Sequence, residues 1–147
     1  MILITGGLGF IGSNFAIKFS EISQEKIFIF DNLIYKNSSL IETKLKKLDN
    51  LSLIKGDIGD KKLISDTLNE FKPRGIINFA AQTHVDTSIK NPKIFLETNV
   101  LKTYNLFEAS LEYWLKLPSS MKSHFRFMHI STDEVFGSAM DNQEPFK

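Results

Sequence analysis

The sequence predicts an α/β fold, a doubly wound parallel sheet with helices on both faces. Three observations carry this. Short apolar runs suited to buried strands alternate with stretches of helical periodicity. The first run, Ile2-Leu3-Ile4, breaks at Thr5-Gly6-Gly7 and leads at once into an amphipathic segment, with Gly6, Gly9 and Gly12 spaced three apart. The second, Lys26-Ile27-Phe28-Ile29-Phe30, ends on Asp31, nineteen residues after Gly12.

The glycine stretch reads as strand, tight turn and helix start. The first glycine permits the turn, the second lets backbone approach a phosphate, and the third lets helix pack on strand. A helix N-terminus offers free N–H groups and partial positive charge, which suit a pyrophosphate. An ordinary Gly-rich turn also fits those glycines taken alone. Asp31 adds an acid at about the 20-residue spacing expected for a group that binds an adenosine ribose. The alternative for Asp31 is a solvated strand end. A carboxylate there repels a 2′-phosphate, and Asn32-Leu33 follow with no arginine, which favours NAD over NADP.

The elements follow in order. Ile11 to Ile22 is a helix whose apolar side (Ile11, Phe15, Ile17, Phe19, Ile22) is expected on the sheet. Lys26 to Phe30 is strand two, and Asn32 to Ser39 a loop. Ser39 to Leu48 has Leu40, Ile41, Leu45 and Leu48 at helical spacing. Its Lys44, Lys46 and Lys47 are a phosphate patch or a solvated face. Leu51 to Lys55 is strand three, ended by Gly56-Asp57-Ile58-Gly59-Asp60. Asp60 is a candidate N-cap for a helix from Lys61 to Phe71. Gly75 to Phe79 is strand four, running into Ala80-Ala81, which admit a ligand or simply pack. Asn91-Pro92 opens a long helix, with Ile94, Phe95, Val100, Leu101, Tyr104, Leu106, Phe107, Leu111 and Leu115 as candidate core. Thr98, Asn99 and Thr103 interrupt that face and need partners, either a cofactor or neighbouring backbone. Leu117 to His124 is a loop and Phe125 to Ile130 strand five. A parallel sheet with right-handed crossovers and the Rossmann-like strand order 3-2-1-4-5 is expected, with five polar or glycine clusters on one rim at the strands' carboxyl ends.

Composition sets bounds. The 147 residues are 42% hydrophobic and 24% charged, enough for one domain with a real core. The net charge is +1, with nothing that suggests a nucleic-acid or membrane-surface partner. No cysteine is present, so no disulfide, thiol nucleophile or cysteine-bound metal is expected. No apolar run is long enough to span a bilayer, and the chain opens on a strand rather than a signal peptide, so a cytoplasmic location is expected.

Ser131-Thr132-Asp133-Glu134 closes strand five. Asp133 and Glu134 form an acid/base pair if their surroundings separate their pKa values, or a turn with two solvated acids if not. His84, in the loop after Ala80-Ala81, touches substrate or makes a structural hydrogen bond.

At this point the motifs become specific. Thr5-Gly6-Gly7-Leu8-Gly9-Phe10-Ile11-Gly12-Ser13-Asn14, Asp57-Ile58, Ala80-Ala81-Gln82-Thr83-His84-Val85-Asp86-Thr87-Ser88-Ile89, Glu97-Thr98-Asn99 and His129-Ile130-Ser131-Thr132-Asp133-Glu134-Val135-Phe136-Gly137 span nearly the whole chain. Together they resemble the nucleotide-sugar branch of the extended short-chain dehydrogenase/reductases, and within it the 4,6-dehydratases that act on dTDP-glucose. The connection from Tyr113 to Phe127 is similar too. The Thr-Asp-Glu triplet is the most specific part, because the branch's epimerases usually lack the acidic pair.

The resemblance implies NAD as cofactor, lined by Phe10, Ile11, Asp31, Asn32, Leu33, Ile34, Asp57, Ile58, Phe79, Ala80, Ala81, Gln82, Thr83 and Thr98. It implies that Thr83 and Thr132 face the sugar, that Asp133 is the general acid and Glu134 the general base, and that the full-length enzyme is a homodimer. The implied reaction oxidises C4, eliminates water across C5 and C6, and returns hydride to C6. Gln82, Thr83, Thr87 and Phe136 stand where the family more often has Glu, Ser, Arg and Tyr.

The family also uses a Tyr-x-x-x-Lys pair on the helix after strand five. The tyrosines here are Tyr35, Tyr104 and Tyr113, and none has a lysine four positions on. The expectation is therefore an incomplete NAD-binding domain, residues 1–147, truncated after the fifth strand, that does not turn over alone and tends to self-associate. Two other readings stay open: another nucleotide-sugar dehydratase or epimerase, and a non-catalytic dinucleotide-binding remnant.

Overall fold

A computed structural model describes residues 1–34, 38–45 and 47–137, those of 38–40 by their backbone. Five parallel strands run β1 Ile2–Thr5, β2 Ile27–Asp31, β3 Leu51–Lys55, β4 Gly75–Asn78 and β5 Arg126–His129. Their order in the sheet is β3-β2-β1-β4-β5. The helices are α1 Phe10–Ile22, α2 Ser38–Leu45, α3 Lys61–Phe71, α4 Val85–Lys90, α5 Pro92–Phe95, α6 Thr103–Lys116 and α7 Ser119–Lys122. A π-helical stretch, Leu96–Lys102, joins α5 to α6, and a 3-10 turn, Asp133–Phe136, follows β5. Tyr35 and Lys46 lie outside the described residues.

Strand alternation sorts the core into two layers. Ile2, Ile4, Ile27 and Ile29 face α1 and α2 with Leu45 and Ala16. Leu3, Phe30 and Ile76 face α3 and α6 with Ile64, Leu68, Leu106 and Tyr113. In register, Ile4 pairs with Ile29 on one side and Ile77 on the other, so β1 is the buried centre of the sheet. Asp60 caps α3 as expected, its carboxylate accepting from the Leu63 N–H at 2.9 Å.

Two apolar faces differ from expectation. On α1 the buried residues are Gly12, Ser13, Ala16 and Ser20, while Ile11 and Ile22 are 63% and 81% exposed. The helix lies so close to the sheet that only small side chains fit between, and Phe15, Ile17 and Phe19 pack around the margin. On α6 the buried face is Thr103, Leu106, Ala109, Ser110 and Tyr113, directed at α3. Val100, Leu101, Tyr104, Phe107, Leu111 and Leu115 are exposed, and Ile94 and Phe95 are half-buried. The α6 helix is thus apolar on two sides, and among the described residues only one is fully covered. Among the described residues strand β5 pairs only with β4, as the edge strand of the sheet. The expected 117–124 loop contains the short α7, and the single long helix after Pro92 is three segments. No described helix is long and apolar enough to cross a membrane.

Candidate functional site

All five strands end on the same rim, because the sheet is parallel throughout. The centre of that rim is the turn after β1. Gly6 sits at φ +67, and a Cβ there would run into the Ala80 backbone. A Cβ on Gly12 would strike the Gly6 carbonyl oxygen and lie 3.0 Å from Gly7 Cα. Gly9 occupies the N-cap of α1, its N–H donating to the Gly6 carbonyl at 3.1 Å. The result is a bare backbone floor under the N–H groups of α1's first turn, which have no intrahelical partners.

Asp31 ends β2 and is 9% exposed. Its Oδ2 accepts from the Leu8 N–H at 3.0 Å and its Oδ1 from the Leu33 N–H at 2.9 Å. Those bonds lock the carboxylate beside the glycine turn and leave lone pairs for further donors. Just beyond β3, Asp57 accepts from Lys102 Nζ at 2.7 Å and from the Gly59 N–H at 2.7 Å. Burial pushes the Asp57 carboxyl up, but the Lys102 ammonium, the Gly59 N–H and the Asn32 amide together bring it below its ordinary value.

These groups share one pocket. It is lined by Gly6, Gly9, Asp31, Asn32, Ile34, Asp57 and Ile58 from the first three strand ends. Phe79, Ala80, Ala81, Gln82 and Thr98 close it from the β4 side. Phe10, Ile11, Gly12, Leu33 and Thr83 do not line it; Phe10 is 84% exposed and Leu33 packs toward the α1 core layer.

Comparison with known proteins matches this chain, over residues 3–147, to the GDP-mannose 4,6 dehydratase family model. The chain belongs to that family. A dTDP-glucose 4,6-dehydratase from Xanthomonas campestris pv. campestris (strain B100) is 42% identical over 137 residues, 92% of this chain but 38% of the relative. The crystal structure of the dTDP-glucose 4,6-dehydratase of Bacillus anthracis in complex with NAD superposes with a TM-score of 0.78 at 33% identity, covering 99% of this chain and 41% of that one. A UDP-Glc/GlcNAc 4-epimerase from Campylobacter jejuni gives 0.77 at 28% identity, covering 92% and 38%. The chain therefore spans about two fifths of the length of these 4,6-dehydratases.

Membership in the 4,6-dehydratase family directs attention to the end of β5. There Thr132, Asp133 and Glu134 are exposed and lie outside the pocket lining. The Thr132 hydroxyl, the Glu134 N–H and Asp133 hold the Glu134 carboxyl below its ordinary value. Both carboxylates stand on the exposed 3-10 turn. His84 takes the N-cap position of α4 without a side-chain cap bond.

Several polar contacts join residues far apart in the sequence. A hydrogen-bonded chain crosses three strands below the rim: the Thr5 hydroxyl donates to Asn78 Oδ1, and Asn78 Nδ2 meets His129 Nδ1 at 2.9 Å. Thr5 and Asn78 are fully buried. Asn99 faces the Gln82 backbone twice, accepting from its N–H at 2.8 Å and donating to its carbonyl at 2.9 Å. The Thr103 hydroxyl donates to the Thr98 carbonyl at 3.1 Å. Backbone thus supplies partners for Asn99 and Thr103, while Thr98 turns to the pocket. Lys102 is a further addition; its one signal is its place four residues after Thr98, on the same side of a helix.

Proposed function

We propose that this chain is the NAD-binding part of a nucleotide-sugar 4,6-dehydratase that converts dTDP-glucose to the 4-keto-6-deoxy sugar. The observation that carries it is the row of groups on adjacent strand ends: the bare glycine turn on β1, the locked Asp31 on β2 and Asp57 beyond β3. This row fits a dinucleotide. The turn takes the pyrophosphate, and Asp31 accepts from the adenosine ribose hydroxyls and disfavours a 2′-phosphate. That the Bacillus anthracis relative was crystallised with NAD supports the reading.

NAD, when bound, takes hydride from C4 and gives it back at C6. The chain's own residues handle protons and position. Glu134 accepts the C5 proton once a C4 ketone has acidified it. Asp133 supplies a proton to the leaving C6 hydroxyl. Thr132 and Thr83 offer hydroxyls to the sugar. Elimination needs an acid and a base side by side, and the adjacent carboxylates on the 3-10 turn provide them.

The 147 residues hold no Tyr-x-x-x-Lys pair to take the C4 hydroxyl proton. The chain is accordingly expected to bind NAD and form no product by itself. Calorimetric titration with NAD, followed by an assay for 4-keto sugar from dTDP-glucose, tests both halves. No heat of binding overturns the cofactor assignment; product from the purified chain overturns the inactivity. The likeness to the Campylobacter jejuni epimerase gives a second reading, C4 epimerisation. Asp133-Glu134 argues against it, since epimerisation has no elimination step.

A further inference from the structure

One cation of the pocket has no part in the reading above. The strand order β3-β2-β1 sets the glycine turn, Asp31 and Asp57 in a line. A dinucleotide with its pyrophosphate on the turn and its ribose on Asp31 would carry its base outward along that line, toward Asp57. Lys102 reaches that spot from the π-helical stretch. Its Nζ lies 2.7 Å from Asp57 Oδ2, and its stem covers Gly59, where an added Cβ would stand 2.8 Å from Lys102 Cγ. Asn105 Nδ2 holds the Gly59 carbonyl from behind at 2.9 Å. Among the described residues lining the pocket Lys102 is the one cation, against the carboxylates of Asp31 and Asp57.

We infer that Lys102 is a nucleotide-binding residue that acts on the adenine base. Its ammonium holds the Asp57 carboxylate toward the base and donates to a ring nitrogen. The inference rests on the NAD reading of the pocket. Adenine presents an amino donor next to a ring-nitrogen acceptor. Asp57 only accepts and Lys102 only donates, so the adjacent protein pair complements the adjacent base pair of groups. An ammonium has three donors, and Asp57 takes one of them. Without Lys102, two carboxylates would face an anionic ligand with no counter-charge in the pocket wall.

The test is calorimetry on the 147-residue chain with NAD, ADP-ribose and inorganic pyrophosphate, the last lacking a base. Lys102→Met keeps the stem over Gly59 and removes only the charge. It is expected to weaken NAD and ADP-ribose about tenfold, the scale of a charge-assisted hydrogen bond, with pyrophosphate changed less than about twofold at 0.15 M salt. Lys102→Arg is expected to recover most of the loss. Asp57→Asn added to Lys102→Met is expected to cost little more, because the two act as a pair. Unchanged or tighter NAD binding by Lys102→Met overturns the inference, since the ion pair would then be a strap that the ligand displaces. An equal loss for pyrophosphate also overturns it. Failure of the unsubstituted chain to bind NAD removes the parent reading and this one together, whereas binding that is indifferent to Lys102 removes this one alone.

Discussion

Replacing Asp31 by Asn tests the centre of the pocket. Asp31 presents two acceptor oxygens to two backbone N–H groups, those of Leu8 and Leu33, at 3.0 and 2.9 Å. Asn has one acceptor oxygen, so one of those N–H groups would face an amide N–H₂. At a site 9% exposed, leaving one donor unmet costs about 1–3 kcal/mol of stability. The same exchange removes a charged acceptor from the ribose hydroxyls. A hydrogen bond to a charged group contributes about 1.5–3 kcal/mol, so NAD affinity is expected to fall roughly 10- to 100-fold. NADP is expected to suffer less, because the carboxylate that repelled its 2′-phosphate is gone. Urea denaturation measures the first effect, and titration with NAD and NADP side by side measures the other two. If Asp31→Asn leaves NAD affinity unchanged, or leaves the NAD-to-NADP ratio intact, Asp31 is not the ribose acceptor.

Gly6→Ala forces a Cβ into the Ala80 backbone at φ +67; it is expected to lose about 2–4 kcal/mol by denaturant midpoint, and an unchanged midpoint would contradict the turn geometry. The Arg74 guanidinium, with the Met1 ammonium, draws the Glu25 carboxyl down to about 2, and because the folded value is depressed, the stability it supplies is present above pH 4.5 and is lost as pH falls toward 2. With 31% of the side chain exposed, solvent screening leaves about 1 kcal/mol of this. Glu25→Gln should therefore be less stable than the parent chain at pH 7, with a gap that narrows steadily as pH falls from 4.5 through the folded value, and a gap that stays constant over that range refutes the assignment. On the second face of α6, Phe107→Glu with Leu111→Glu is expected to reduce self-association in analytical ultracentrifugation; equal association by parent and variant would locate the contact elsewhere.

Wherever the determinant is local, the sequence alone settles it for this protein. Strands β1 to β5 follow from apolar runs and the α3 cap from Asp60 three residues before an N–H it can reach, while the order 3-2-1-4-5 is the one expected for alternating strands and helices that open on the glycine fingerprint. Gly6, Asp31 and Asp57 share a rim because each ends a strand of one parallel sheet. Tertiary structure decided what depends on distance through space. Periodicity marks the apolar residues of α1 and α6 without saying which of them meets a neighbour: the close fit of α1 on the sheet selects Ala16 over Ile11 and Ile22, and α3 covers Leu106 while leaving Leu111 exposed. The Thr5–Asn78–His129 chain joins residues 73 and 51 positions apart, and Lys102 reaches Asp57 across 45, separations at which no helical or strand spacing repeats. Those contacts exist only once the sheet has brought the strand ends together.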